Sequence, residues 1–229
     1  MNAMAIPWKT IERVETEEGV LELRRHGQGD FLITVAGRVL MNSASHRTEA
    51  ALGKLACRHL ETRPAPRVLV GGLGMGFTLR AVLDVLPASA RVTVAELNPV
   101  MVSWCRGPLS ELTGKAAVDP RVRIEIEDVA RMVRHRAEKP CPGTIDAVIY
   151  DLYTGPYTRT HKKGDPLYGN RAIESVRTVL SPGGIFAVWG EDYDAGFVKR
   201  LEAGGFEAIV RRPKKGGPRH VIYLATRPS

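Results

Sequence analysis

Arg67-Val-Leu-Val-Gly-Gly-Leu-Gly-Met-Gly76 constrains the fold more than any other stretch of the chain. Apolar residues run straight into a glycine cluster. Thr78, Leu79, Val82, Leu83 and Leu86 then follow at helical spacing until Pro87 stops the pattern. This reads as strand, tight loop and helix. Glycine is needed where a backbone takes positive φ or lies close against a ligand. The first N–H groups of the following helix face whatever occupies the loop.

The glycine spacing separates two cofactor classes. A dinucleotide fingerprint is G-x-G-x-x-G. Counted from Gly72, its last place falls on Phe77, and counting from Gly71 or Gly74 fails as well. What stands here is G-x-G-x-G at Gly72, Gly74 and Gly76, a spacing familiar from enzymes that use S-adenosylmethionine. The alternative is a tight turn that binds nothing.

A chain of 229 residues, 44% hydrophobic and 25% charged, can bury a full core in one α/β domain with an appendage. No apolar run reaches membrane-spanning length and no signal peptide is visible at the start. The cysteines Cys57, Cys105 and Cys141 have no metal-like spacing, and a reducing cytoplasm is expected. The net charge of +8 raises the question of nucleic acid. The dense basic cluster, Arg211-Arg212-Pro-Lys214-Lys215 with Arg219 and His220, has no interleaved aromatics and reads as a solvated hairpin turn. Nucleic acid is therefore not the expected partner.

Residues 8–41 read as short strands, a β appendage ending near residue 45. Ser45 is positioned to cap a helix over 46–61 with Leu52, Leu55, Ala56 and Leu60 on one face. From Arg67 onward strands are expected at 67–71, 91–96, 121–126, 145–150 and 185–189. Helices are expected at 77–86, 99–106, 128–138, 170–180 and 194–204. Such alternation means a mostly parallel sheet with helices on both faces. Glu207–Arg211 and His220–Thr226 are too close for a crossover helix and must form an antiparallel hairpin. A parallel sheet closed by one antiparallel strand resembles the seven-stranded, Rossmann-like class I methyltransferase fold. The domain division is 1–45 and 46–229.

Three acids follow strands in register. Glu96 ends the second strand, where a carboxylate with two acceptors suits a ribose diol. Asn98 and Pro99 start the next helix. Asp128 follows the third strand and suits an adenine amino group, a helix N-cap, or both. Asp151 follows the fourth strand, at the reacting end of a ligand bound outside the carboxyl ends of the strands. Tyr153 and Tyr157 lie in its loop, and Trp189, Glu191, Asp192 and Asp194 follow the fifth strand. Acids and aromatics on one rim suit a cationic amine. Glu191–Asp194 also reads as acids at a helix N-terminus.

Together these residues resemble the spermidine synthase family, the aminopropyltransferases. Val68–Gly76 with Leu79-Arg80-x-Val82-Leu83, Val92–Pro99, Asp119-Pro-Arg-Val122 through Asp128, Asp146–Asp151, Leu167-Tyr168 and Leu180-Ser-Pro-Gly-Gly184 carry the likeness. It departs at Met75 and Thr154, where the family has aspartates, and at Thr48, where it has His or Gln. The loop after Asp151 and the N-terminal β part are also shorter. The resemblance implies that Gly72, Gly74, Met75, Gly76, Glu96, Leu97, Asp128, Val129 and Asp151 hold an adenosyl sulfonium. Asp151 and Tyr153 are the implied catalytic residues, and Tyr157, Tyr168, Trp189, Glu191 and Asp192 the implied acceptor site. The expected function is transfer from S-adenosylmethionine to a small amine, with methyl transfer first because Met75 and Thr154 are neutral. Aminopropyl transfer from decarboxylated S-adenosylmethionine is the alternative. A non-catalytic adenosine- or RNA-binding module is the alternative of another class. No metal or membrane is expected, and the appendage can mediate a homodimer.

Overall fold

The computed structural model describes residues 7–16, 19–139, 143–153, 155–156, 164–213 and 220–229. The N-terminal strands Lys9–Thr16 (β1), Gly19–His26 (β2), Asp30–Val35 (β3) and Arg38–Asn42 (β4) pair antiparallel in chain order. Their alternation buries Leu21, Leu23, Phe31, Ile33 and Val35. Helix Arg47–Cys57 (α1) follows and ends in a 3-10 turn, Arg58–Leu60. Ser45 does not cap it. His46 holds the cap position without a side-chain cap bond. The ring of His46 instead stacks on Phe77 at 4.2 Å and bonds the Ser43 carbonyl through Nδ1, so ring packing sets the chain's entry into the helix.

The remaining elements alternate as expected: Arg67–Gly71 (β5), Phe77–Val85 (α2), Arg91–Glu96 (β6), Pro99–Arg106 (α3), Val122–Ile126 (β7), Val129–Ala137 (α4), Ile145–Tyr150 (β8), Asn170–Val179 (α5), Leu180–Gly190 (β9), Ala195–Ala203 (α6), Glu207–Arg211 (β10) and Val221–Thr226 (β11). They form a seven-stranded sheet in the order β10-β11-β9-β8-β5-β6-β7. β5 through β9 run parallel, and β11 is antiparallel to both β9 and β10.

Strand periodicity divides the core into two layers. Val68, Val70, Ala147, Ile149, Ala187, Ile222 and Leu224 join the layer containing α1, α2 and α3 residues, and Leu21, Leu23 and Ile33 of the N-terminal sheet belong to it too. Leu69, Val148, Tyr150, Phe186, Val188 and Tyr223 join the layer of α4, α5 and α6. All six residues of β8 are buried, as a central parallel strand requires. Trp104 Nε1 donates to Glu12 of β1 at 2.8 Å, tying the first strand to α3.

β9 begins five residues earlier than the expected 185. Leu180 pairs with Ile145 before the register breaks and resumes at Ala147–Ile185. Ser181-Pro-Gly-Gly184 reads locally as a turn, yet it is an irregularity within one strand, with Gly183 at φ 75°. Asp146 pins this region. Its buried carboxylate accepts from the Arg67 N–H (2.8 Å), Ser181 Oγ (3.1 Å) and the Arg63 guanidinium (3.0 Å).

Candidate functional site

The glycine loop leaves β5 at the carboxyl end of the sheet. Gly72 sits at φ 87°, and its N–H donates to the Ala95 carbonyl at 2.9 Å. A Cβ at this position would lie 2.4 Å from the Asp151 carbonyl oxygen, so only glycine lets the β5 and β8 loops touch. Gly76, at φ 86°, holds the N-cap position of α2 without a side-chain cap. The orphan N–H groups of that helix end therefore remain open to the loop. Gly74 (φ 52°) packs under Met41, and its carbonyl accepts from Cys105 Sγ at 3.2 Å. Burial pushes the Cys105 thiol up to about 12, so it is an inert buried donor. Met75 is 2% exposed and belongs to the core cluster with Leu73 and Leu79, so its side chain packs inward rather than lining the rim.

Glu96 braces the loop. Its Oε2 accepts from the Leu73 N–H at 2.8 Å and its Oε1 from the Asn98 N–H at 2.9 Å. A carboxylate oxygen has two acceptor positions, so each keeps one for a ligand. Asn98 Oδ1 caps α3 through the Val100 N–H, with Pro99 in its first turn. Leu97 and Ile126 are large apolar side chains left 66% and 52% exposed at the ends of β6 and β7. Asp128 caps α4, accepting from the Arg131 N–H through Oδ1 at 2.7 Å. Val129 is buried against Gly71, where a Cβ would meet its Cγ2 at 2.8 Å, so its side chain belongs to the core. The glycine loop, the half-satisfied Glu96 and this apolar shelf together fit an adenosyl group.

The second half of the site lies where α1, α2, β8 and β9 meet. Thr78 Oγ donates to Asp151 Oδ2 at 2.6 Å. Burial pushes the Asp151 carboxyl up to about 7, the Thr78 bond opposes this, and the Glu49 charge adds to it. Glu49 Oε2 accepts from Thr48 Oγ at 2.7 Å. Thr48 Oγ in turn lies 3.4 Å from both Trp189 Nε1 and His220 Nδ1, and the Trp189 and His220 rings meet edge to face at 4.7 Å. A threonine that donates to Glu49 accepts from these nitrogens, so the network points its proton at the carboxylate. Two acids beside an aromatic pair supply negative charge and a π face, the features that attract a cation.

Other expected site residues divide. Tyr153 is exposed. Tyr157 and Thr154 lie outside the described residues. Tyr168 is not on the rim: it is 3% exposed, packed edge-on against Tyr150 and Phe197 in the core. Glu191 and Asp192 are exposed just past β9, and the Asp192 carbonyl accepts from the Tyr223 hydroxyl at 3.0 Å. Asp194 is the N-cap of α6, accepting from the Phe197 N–H at 2.7 Å. Thr78 and His220 carry weaker signals in the sequence. Thr78 falls on the apolar face of the helical pattern, and a polar residue on that face two places after Gly76 is its one signal. His220 sits at the end of a basic run and reads locally as part of the turn.

Residues 53–195 match the family model described as the spermine/spermidine synthase domain. The chain belongs to this family. The match takes in the glycine loop, Glu96, Asp128 and Asp151, whereas Thr48, Glu49 and His220 fall outside it. The polyamine aminopropyltransferase of Korarchaeum cryptofilum is 30% identical over 163 residues, covering 71% of this chain and 45% of that protein. The Escherichia coli (strain K12 / DH10B) polyamine aminopropyltransferase is 30% identical over 122 residues, covering 53% of this chain and 38% of that protein. The aligned part is thus less than half the length of these relatives. Among solved structures, spermidine synthase from Thermotoga maritima superposes with a TM-score of 0.70 at 18% identity, covering 95% of this chain and 72% of its own. Human methyltransferase-like protein 13 in complex with SAH superposes with a TM-score of 0.57 at 22% identity, covering 79% of this chain and 81% of its own. Both likenesses establish the fold, that of spermidine synthases and class I methyltransferases. Among the described residues no helix is long and apolar enough to cross a membrane.

Proposed function

We propose that this protein is a spermidine synthase-type transferase that moves an aminopropyl group from decarboxylated S-adenosylmethionine to an amine. The observation that carries this is the pair of carboxylates, Asp151 and Glu49, each held by a threonine hydroxyl beside the glycine loop. On this reading the open acceptor positions of Glu96 take the two ribose hydroxyls. Leu97 and Ile126 cover the base, and the Asp128 oxygen not engaged in capping accepts from the adenine amino group. Asp151 removes a proton from the acceptor ammonium, since only the free amine attacks. A carboxyl titrating near 7 is matched to that task. The amine nitrogen bonds to the carbon next to sulfur as the carbon–sulfur bond breaks, and methylthioadenosine leaves. The transfer disperses a charge already present, so positioning supplies most of the acceleration.

Methyl transfer from S-adenosylmethionine was the first expectation from sequence, on the strength of neutral Met75 and Thr154. Two observations weigh against it. Met75 is a core side chain, so its neutrality reflects packing. Glu49 brings a second acid to Asp151, and acids there disfavour a donor bearing an α-carboxylate. The curated relatives are also aminopropyltransferases. The test is incubation with each donor and a panel of mono-, di- and polyamines, with products read by mass. Aminopropylated amine and methylthioadenosine from the decarboxylated donor are expected. Methylated amine from S-adenosylmethionine alone would overturn the reading, and absence of turnover with either donor would favour a binding module.

A further inference from the structure

We propose that Thr78 is a positioning residue for the transfer: its single hydroxyl proton caps one oxygen of Asp151 and leaves the other to take the acceptor's proton. The inference rests on Asp151 being the base of the proposed reaction. Thr78 is 2% exposed and lies in the first turn of α2, two residues after Gly76, so its rotamer is held by packing. Its hydroxyl has two acceptors within reach, Asp151 Oδ2 at 2.6 Å and the Glu49 backbone carbonyl at 3.2 Å. A hydroxyl has one proton, and the shorter bond to a charged partner claims it while Asp151 is ionised. Oδ2 is then occupied and Oδ1 is the oxygen that faces the amine.

Asp151 is acted on by the Glu49 charge from α1 and by the Thr78 hydroxyl from α2, and its backbone carbonyl lies against Gly72 of the glycine loop. Glu49 and burial both oppose its ionisation, and the Thr78 hydroxyl supports it. When the ammonium gives up its proton, the N–H bond breaks and an O–H bond forms at Oδ1. The negative charge on Asp151 disappears, and the Thr78 hydroxyl is released to the Glu49 carbonyl. One proton movement thereby couples α2 to α1 at the acceptor end of the site.

The test uses the full chain and three variants. Thr78→Val keeps the shape and removes the hydroxyl, Thr78→Ser keeps the hydroxyl, and Thr78→Ala repeats the deletion with a smaller side chain. The Asp151 carboxyl is titrated by carbon NMR without ligand, and kcat/KM for transfer is measured against pH. Loss of the hydroxyl should raise both midpoints by about one unit. Transfer at pH 7 should fall about fivefold, as the ionised fraction of the base falls, and recover above the shifted midpoint. Thr78→Ser should stay within roughly 0.3 of the native midpoints. Unmoved midpoints in Thr78→Val and Thr78→Ala, or a Thr78→Ser that behaves like Thr78→Val, would overturn the proposal. If Asp151→Asn retains turnover, Asp151 is not the base and the proposal falls with it, while the transfer reading itself stands or falls on the donor and product assay.

Discussion

At the scale of single residues, Asp151 carries both a functional and a thermodynamic consequence. Its carboxyl is raised from 3.8 to about 7 in the folded state. Between those values the folded protein binds more protons than the unfolded chain, so this group makes stability fall as pH rises through that window. Asp151→Asn removes the effect. The variant and the native protein should melt alike near pH 4, and the variant should melt roughly 10 °C higher by pH 8, since a rise of about three units is worth about 4 kcal/mol and each kcal/mol about 2–4 °C in a domain of this size. Thermal scans across that range check it. The same variant should lose roughly two to four orders of magnitude in transfer rate. Glu96 makes the opposite kind of prediction. Glu96→Ala strips the Leu73 and Asn98 N–H groups of their acceptor. Stability should fall by about 1–3 kcal/mol, and methylthioadenosine should no longer raise the melting temperature as a ligand of the folded state does. A variant that still responds fully to methylthioadenosine would remove Glu96 from the ribose site.

At the scale of elements, the glycine loop is a joint between two strands as much as a cradle. Gly72 and Gly27 both have positive φ, but only Gly72 has a backbone oxygen where a Cβ would go. Gly27→Ala should cost about 1–2 kcal/mol, the strain of a left-handed residue alone. Gly72→Ala adds a collision with the Asp151 carbonyl and should cost more, while also displacing the Asp151 loop and lowering activity. Urea denaturation and turnover of the two variants make the comparison, and equal stability losses would contradict it. β5 and α2 were legible from local pattern, since apolar periodicity and glycine punctuation act over a few residues. The start of β9 was not, because Ser181-Pro-Gly-Gly184 is held in the sheet by pairing Leu180 with Ile145, a partner distant in sequence.

At the scale of the molecule, the N-terminal sheet and the α/β layers share one apolar cluster. Deleting residues 1–42 would expose that cluster where Leu21, Leu23 and Ile33 now cover it. The truncated chain should lose its cooperative thermal transition rather than melt a few degrees lower. A truncated form with a sharp, native-like transition would show that the α/β part stands alone.

Local pattern in the chain is enough to set the strand–helix alternation, the hairpin that reverses the last strand, and the three acids at strand ends. Each follows from side-chain periodicity, chain length between elements, or backbone sterics at glycine, all of which act locally. Which side chains meet depends on how the elements pack. Tyr168 and Met75 have the chemistry of site residues, but the packing of β8 and α2 turns them into core. Thr48 and Glu49 come from α1, Thr78 from α2, Asp151 from the end of β8, Trp189 from β9 and His220 from the segment before β11; the strand-end rule alone brings Asp151 and Trp189 to one rim, and local pattern carries no signal that the others join them. They meet because the parallel strands end on one rim, and because the antiparallel β11 returns His220 to that rim from the far end of the chain.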